Sequence, residues 1–395
     1  MEKIYVSTPE QLERLCQQLR GRPWLALDTE FMRETTYYPK LCLLQLCDGE
    51  IAACVDPIAL EALDPLLELL YDPSLTKVFH AARQDLEIFH HRWGRLPTSV
   101  FDTQPAAALL GLGDQLGYGN LVEQMLGIKL AKGHSRTDWA QRPLDAQQID
   151  YAYDDVIYLA QLYPKMRQQL AEKGRLDWLQ EDFERLTRPE TYINPPEQAW
   201  ARVKGLQLLR GAQYAVLQKL AAWRETQAEA SDRPRRHLVQ DEVLIDIARR
   251  MPRHLEELGK IRSLRERELQ RWGATWLGLI EQARQMAKAD WPSPEIKQRL
   301  SPQEDAKLDL LNAALKLIAE EEGLSPAALA NRKDLEALIR GEADAALLGG
   351  WQKRVAGDRL QALLQGQLQL RIQPESQVLG WGGKPALPSD PAGQL

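Results

Sequence analysis

The sequence predicts an α/β domain followed by an all-α second half. Three observations lead there. Through roughly the first 175 residues, short apolar runs that suit buried strands alternate with segments of helical periodicity, the pattern of a sheet layered with helices. The prolines at 195 and 196 then interrupt the chain, and beyond them apolar residues recur at helical spacing. At 395 residues, with 44% hydrophobic and 27% charged side chains, the chain is too long for one typical domain and ordinary in composition for several globular ones.

Taken in order, Ile4–Val6 reads as a short strand, and Ser7-Thr8-Pro9-Glu10 starts a helix that runs to about Leu19. Pro23–Phe31 is a strand. The run KLCLLQLCD, a turn at Gly49 and IAACVD read as a hairpin of buried strands. Helical periodicity covers 58–71, Lys77–His80 is a strand leading into a helix, Val100–Thr103 is another, and 119–127 is a helix ending at Gly127. Residues 132–139 read as a loop, after which Asp145 caps a long helix to about Glu172. Cys42, Cys47 and Cys54 lie in the apolar strands with no histidine nearby, which suits buried reduced thiols better than zinc or disulfides. No apolar run approaches a membrane span, and the N-terminus lacks the apolar core of a signal peptide, so a cytoplasmic protein is expected.

The strand at 23–31 ends in Asp28 and Glu30. With a side-chain period of two, both carboxylates leave the same face about 7 Å apart, an arrangement that suits either a solvated strand end or a hard divalent cation. Asp85 falls in the first turns of the helix after 77–80, near the carboxyl edge of the sheet, where open α/β sheets bind ligands; a carboxylate is also favourable there for the helix dipole alone. On the long helix, Ile149, Ala152, Val156, Leu159, Ala160 and Tyr163 form one apolar stripe. Asp154 lies nearly opposite that stripe and is expected in solvent, whereas Asp155 lies at its flank with Tyr151 four residues before it. Four acids from three elements can enclose two Mg²⁺ or Mn²⁺ ions, and such a pair suits in-line attack on a phosphodiester.

LeuAspThrGluPhe at 27–31, HisAlaAlaArgGlnAsp at 80–85 and TyrAlaTyrAspAsp at 151–155 resemble the three motifs of the DEDD exonucleases, in the variety with a tyrosine four residues before the last aspartate. SerArgThrAspTrp at 135–139 and ArgProLeu at 142–144 are similar specifically to the bacterial ribonuclease D family. The resemblance implies a ribonuclease H-like sheet and hydrolysis from an RNA 3′ end with release of nucleoside 5′-monophosphates. It implies that Asp28, Glu30 and Asp155 hold one metal ion, that Asp28 also reaches a second, and that Asp85 holds that second ion. Tyr151 and Glu30 are the implied catalytic side chains: Tyr151 orients the attacking water, its ordinary pKa near 10 making it a poor base at neutral pH, and Glu30 also accepts from the terminal ribose hydroxyl.

The second half is similar to the domain that helicases and ribonuclease D share at their C-terminal ends, the HRDC domain. The features are Leu206, Leu220, Trp223-Arg224-Glu225, Asp232-Arg233-Pro234, Asp241–Leu244, Ile247-Ala248, Pro252 and Leu258, with Ser263 departing where such domains often carry glycine. A more diverged copy is expected over 297–371, from LeuSerPro at 324–326, LysAspLeu at 333–335 and Gly349-Gly350-Trp351 with Arg354, Gly357 and Leu360. The expected organisation is an exonuclease domain at 1–188, a linker at 189–204, HRDC-type helical domains at 205–291 and 297–371, and a flexible tail at 372–395. Charge follows these divisions: residues 1–199 carry 20 basic and 30 acidic side chains, and residues 200–291 carry 18 and 12. A basic module beside an acidic one suits a nucleic-acid partner. Arg233, Arg235 and Arg236 around Pro234 are candidates for contact with an RNA backbone, the alternative being a solvated turn.

The expectation is a monomeric, metal-dependent 3′-to-5′ exoribonuclease that trims structured RNA such as tRNA precursors. The residues leave two alternatives open, a 3′–5′ DNA exonuclease and a non-catalytic RNA-binding scaffold.

Overall fold

The computed structural model describes residues 1–131, 137–294, 299–343 and 345–382. The apolar runs of the first half become six strands, β1 (Glu2–Val6), β2 (Trp24–Met32), β3 (Lys40–Cys47), β4 (Ile51–Val55), β5 (Thr76–Phe79) and β6 (Val100–Asp102). They form one sheet in the order β1-β4-β3-β2-β5-β6. Short connections make the β2–β3 and β3–β4 pairs antiparallel, and helix-bearing connections make the β1–β4, β2–β5 and β5–β6 pairs parallel.

Both faces of the sheet are covered. Helices α1 (Pro9–Leu19), α2 (Asp64–Leu70) and α3 (Arg83–Trp93) bury one face through Leu12, Leu15, Leu66, Leu86 and Phe89. Helices α4 (Thr103–Leu109), α5 (Tyr118–Leu126) and α6 (Ala146–Glu172) bury the other through Ala106, Leu121, Ala152, Val156 and Leu159. Capping boxes start α1 at Thr8 with Gln11 and α6 at Asp145 with Gln148, each satisfying backbone N–H groups that have no partner inside the helix. The helix expected from residue 58 begins only at Asp64. The Asp56 carboxylate accepts from the N–H groups of Ile58 and Ala59 and closes a separate turn there, and Pro65 sits in the helix's first turn. Of the expected loop at 132–139, residues 132–136 lie outside the described residues.

The segment read as a linker, 189–204, is packed at both ends. After α7 (Gln180–Leu186) it folds into 3₁₀ turns at Pro189–Thr191 and Pro196–Arg202. Tyr192 is buried in the core on the α1–α3 side of the sheet, and Ala199, Trp200 and Val203 are buried in the core of the first helical domain. That domain comprises α8 (Ala212–Ala230), α9 (Arg235–Leu238), α10 (Asp241–Arg250), α11 (Leu255–Gly259) and α12 (Glu266–Gln285) around Leu217, Leu220, Ile247 and Trp276. A similar succession follows in α13 (Pro302–Glu322), α14 (Pro326–Leu329), α15 (Arg332–Arg340) and α16 (Gly350–Gln352), with a π turn at Lys353–Gly357 leading into α17 (Asp358–Leu364). Glycine is required at 357, because a Cβ there would stand 1.8 Å from the Leu347 carbonyl oxygen.

The two helical domains are attached differently. The core of the first is a cluster of its own, whereas Leu311, Leu315, Ile318 and Leu360 of the second belong to the same cluster as α6 and the sheet. The seam of that shared core is polar and close. Arg175 donates to the carbonyls of Leu109 (2.8 Å) and Glu322 (2.5 Å), and the Ser325 N–H donates to Ala108 (3.1 Å). Trp178 and Trp351 stack with centroids 4.6 Å apart and planes 7° from parallel. The first helical domain instead meets the segment that leaves β2: the Tyr37 and Tyr38 hydroxyls donate to Glu225 (2.6 Å) and Glu229 (2.5 Å), and Asp232 accepts from both tyrosine N–H groups at 3.0 Å.

The flexible tail expected over 372–395 is corrected over 372–382. Strands β7 (Gln369–Ile372) and β8 (Leu379–Gly382) pair antiparallel, and Trp381 donates to Glu321 (3.0 Å) beneath the Arg359 guanidinium, which lies 4.6 Å from its ring centroid. The Trp381 indole fastens this hairpin; residues 383–395 lie outside the described residues. Among the described residues no helix is long and apolar enough to cross a membrane, and all four cysteines are buried and free.

Truncating the stacked indole tests the shared core. Trp351→Ala should destabilise the fold by about 3–5 kcal/mol, and hydrogen exchange should show β3 and α6 losing protection together with α13. Unchanged protection in β3 and α6 would mean that the two cores are independent.

Candidate active site

β2 and α6 bring the acids together. Asp28 and Glu30 alternate with Thr29 along β2, so the two carboxylates share one face, and α6 lies across that face with Tyr151 and Asp155 one turn apart. One carboxylate oxygen each of Asp28, Glu30 and Asp155 lies within 4.8 Å of the others. Asp85, 6% exposed in the first turn of α3, is outside this triple and accepts from the Thr29 hydroxyl at 2.5 Å. Its helix is anchored by Asp102, whose carboxylate accepts from the N–H groups of Ala81 (2.8 Å), Ala82 (2.9 Å) and Gln104 (2.9 Å). Ala81 is held there in a left-handed conformation, φ +59°, that a residue with a Cβ adopts only under such constraint. Opposite, the Tyr118 hydroxyl donates to the backbone carbonyl of Asp155 at 2.6 Å and fixes the stretch of α6 that carries the third acid.

The electrostatics follow from burial and crowding. Burial, then the charges of Asp28, Asp155 and Asp85, push Glu30 up to about 10. Burial and the neighbouring Asp154 raise Asp155 to about 7, although the hydrogen bond from Tyr151 works the other way. Asp28 is raised by burial and by Asp155, and Asp85 by burial and by Asp28. Tyr151 is raised too, by burial and by the charges of Asp155, Glu30 and Asp28, so it stays a neutral phenol that donates. Among the described residues no cationic side chain offsets these shifts. A set of hard oxygen donors that repel one another when ionised fits divalent cations, which remove the repulsion on binding.

The acids open on a cleft of about 980 Å³, lined in part by Asp28, His80, Tyr118, Asn120, Tyr151 and Asp155. Asp154, expected in solvent, is half-buried on its wall, and burial raises its pKa. His80 was missed in the sequence: its Nδ1 is 2.9 Å from the Thr103 hydroxyl, and burial pushes its pKa down to about 4, so it lines the cleft as a neutral imidazole. Thr29 and Tyr118 were missed as well. Thr29 was legible as the residue between two acids on one strand; nothing near Tyr118 in the sequence marks its bond to α6.

The comparisons with known proteins cover both halves of the chain. The 3′-5′ exonuclease family model matches residues 4–171 and the HRDC domain model matches residues 213–280. Ribonuclease D of Sphingobium indicum is 41% identical over 382 residues, covering 93% of this chain and 96% of that protein. The chain belongs to the ribonuclease D family. Ribonuclease D of Zymomonas mobilis is 40% identical over 372 residues, covering 92% of this chain and 94% of that protein. The crystal structure of Escherichia coli RNase D, described as an exoribonuclease involved in structured RNA processing, is 34% identical, covers 93% of this chain and 99% of that one, and superposes with a TM-score of 0.81. The protein is a hydrolytic 3′-to-5′ exoribonuclease, and its family depends on divalent metal.

The arginine cluster sits apart from the acids, at the joint between the sheet domain and the first helical domain. Arg235 pairs with Glu225 (3.2 Å) and Arg236 with Asp241 (3.1 Å), which also pairs with the buried Arg224 at 2.8 Å. The two side chains remain 42% and 54% exposed, and Arg233 is exposed at the turn before α9.

The raised carboxyl groups make a prediction about the metal-free protein. A folded-state pKa above the unfolded value means that the native state binds more protons, so stability falls as pH rises between the two values. For Asp155 that window runs from 3.8 to about 7, and for Glu30 from 4.5 to about 10. In chelator the melting temperature should therefore decline across this range, added Mn²⁺ should restore it most at the alkaline end, and Glu30→Gln should flatten the slope. A chelated protein that gains stability over the same range would contradict the assignment.

Proposed function

We propose that the protein trims the 3′ ends of structured RNA, such as tRNA precursors, with two divalent cations, Mg²⁺ or Mn²⁺, held by Asp28, Glu30, Asp155 and Asp85. The observation that carries this reading is the convergence of Asp28, Glu30 and Asp155 oxygens within 4.8 Å, with a neutral tyrosine hydroxyl bonded to Asp155. Cations bound there supply Lewis acidity, lowering the pKa of an attacking water and neutralising charge on the departing oxygen. Asp28 and Glu30 orient the cations from β2 and Asp155 closes the set from α6. Asp85 would hold the second cation, its carboxylate steadied by the hydroxyl of Thr29. Tyr151 donates to Asp155 and orients the water, since a phenol raised above its ordinary pKa does not serve as a base at neutral pH. Glu30 also accepts from the ribose hydroxyl of the terminal nucleotide.

The cleft of about 980 Å³ beside the acids has room for the last nucleotides of a single strand. The basic first helical domain holds the RNA body, with Arg233 its exposed contact, and Arg235 and Arg236 divide their charge between the joint and the phosphates. Residues 297–371 form a second, diverged HRDC-type copy, a reading supported by the recurring order of long, one-turn and intermediate helices. The protein acts as a monomer in the cytoplasm, where its buried thiols stay reduced.

Two measurements test this. A structured RNA with a labelled 3′ end should lose mononucleotides stepwise in Mg²⁺ or Mn²⁺ and none in chelator, with a DNA strand of the same sequence cut more slowly; Asp28→Ala should remove several orders of magnitude in rate while the protein stays folded. Unchanged release by that variant would refute the site. For the helical domain, Arg233→Gln should weaken RNA binding uniformly across sequences and reduce the slope of log K against log salt by about one. An unchanged slope would remove Arg233 from the interface.

A further inference from the structure

Gln45 is out of character with its surroundings. It stands in β3, in a run that is apolar from Leu41 to Cys47 but for this residue, and it is 0% exposed. Neither its Oε1 nor its Nε2 has a hydrogen-bond partner. A buried carboxamide with its donors and acceptor unmade carries their full desolvation penalty, and leucine or methionine would fill the same volume without it. Packing alone does not account for a glutamine here.

The sheet register shows what it faces. Gln45 is the Cα partner of Asp28 on β2 and of Cys54 on β4. Directly opposed residues of an antiparallel pair put their Cβ atoms on the same face about 4.5–5.5 Å apart, so Gln45 lies beside Asp28 beneath α6. Its other neighbours on that face, Ala26, Leu43 and Cys47, are apolar or small, and the Cys54 thiol is already bonded to the Tyr153 hydroxyl. The strong acceptors within its reach are the acids of β2.

We propose that Gln45 is a positioning residue for the cation site: its carboxamide N–H, unmade in this structure, donates to the Asp28 carboxylate once the site is loaded, through one water, and sets the orientation in which that carboxylate meets the ions. The inference rests on the reading of Asp28 as a shared ligand. Carboxylates that hold metals are themselves held by hydrogen bonds, and loss of such an outer partner weakens metal affinity or activity 10–100-fold. The bulk of a neutral side chain at position 45 is enough for folding; its N–H is what the site uses.

The test compares full-length wild type, Gln45→Leu, Gln45→Met and Asp28→Asn by thermal unfolding in chelator and through a MnCl₂ titration, with mononucleotide release measured over the same concentrations. Both Gln45 variants should melt in chelator at or above the wild-type temperature, because an unpartnered polar group has been removed. The Mn²⁺ concentration that gives half of the thermal shift, and half of maximal release, should rise about 10–100-fold in both. An unchanged half-saturation in either variant overturns the proposal. So does a melting temperature well below wild type for both variants in chelator, which would make the glutamine a structural group of the core. Asp28→Asn separates the two readings: if it abolishes the Mn²⁺-dependent shift while the Gln45 variants leave it in place, only the role of Gln45 fails, whereas a persisting shift in Asp28→Asn removes the shared-ligand reading itself.

Discussion

Like charges forced together in a space poor in water are the constraint around which this molecule is built. Three carboxylate oxygens within 4.8 Å of one another would repel, pair by pair, by about 3–4 kcal/mol at an effective dielectric near 20. A chain left to itself would turn such side chains outward. Here a strand that alternates strictly and a capped helix lying across it leave the side chains no other direction, and the surrounding hydrogen bonds hold the parts in place. Asp102 grips the start of α3, Thr29 grips Asp85, and Tyr118 grips α6 at Asp155. The rigid frame keeps the acids together, and the cost of ionising them there appears as their raised pKa values.

The same strand links the acids to the first helical domain. Beyond Glu30, β2 leads to Arg33, which bonds Glu87 through two contacts at 2.8 Å, and then to Tyr37 and Tyr38, which fasten the first helical domain. Glu87 stands two residues after Asp85 on α3. Displacement of the first helical domain therefore bears directly on the segment that continues the acid-bearing strand, while the second helical domain, sharing the core of the sheet, moves only with it.

Much of the architecture was legible in the sequence because it depends on local pattern. The alternation of Asp28 and Glu30, the capping residues Thr8 and Asp145 and the flank position of Asp155 are consequences of period and of orphaned backbone N–H groups, and these are local properties. What was not legible depends on contacts between distant residues. The helix expected from residue 58 was shortened by Asp56, a residue that also answers to Tyr5 and Arg142. The segment at 189–204 shows its prolines openly, but Tyr192 and Trp200 find their partners in two different cores. Arg235 and Arg236 look like a basic patch until Glu225 and Asp241 arrive from other turns. Gln45 was visible as the lone polar residue of an apolar strand, yet its meaning depends on the register that sets it opposite Asp28.

The shared core has a consequence for synthesis on the ribosome. The sheet domain leaves the exit tunnel first, with the surface of α4 that receives α14 and the face of Trp178 that receives Trp351 still bare. At 5–20 residues per second, the helices that cover them follow roughly 10 to 40 s later. During that interval the nascent chain presents an oily, unfinished flank to solvent, and the basic first helical domain, with a core of its own, emerges in between.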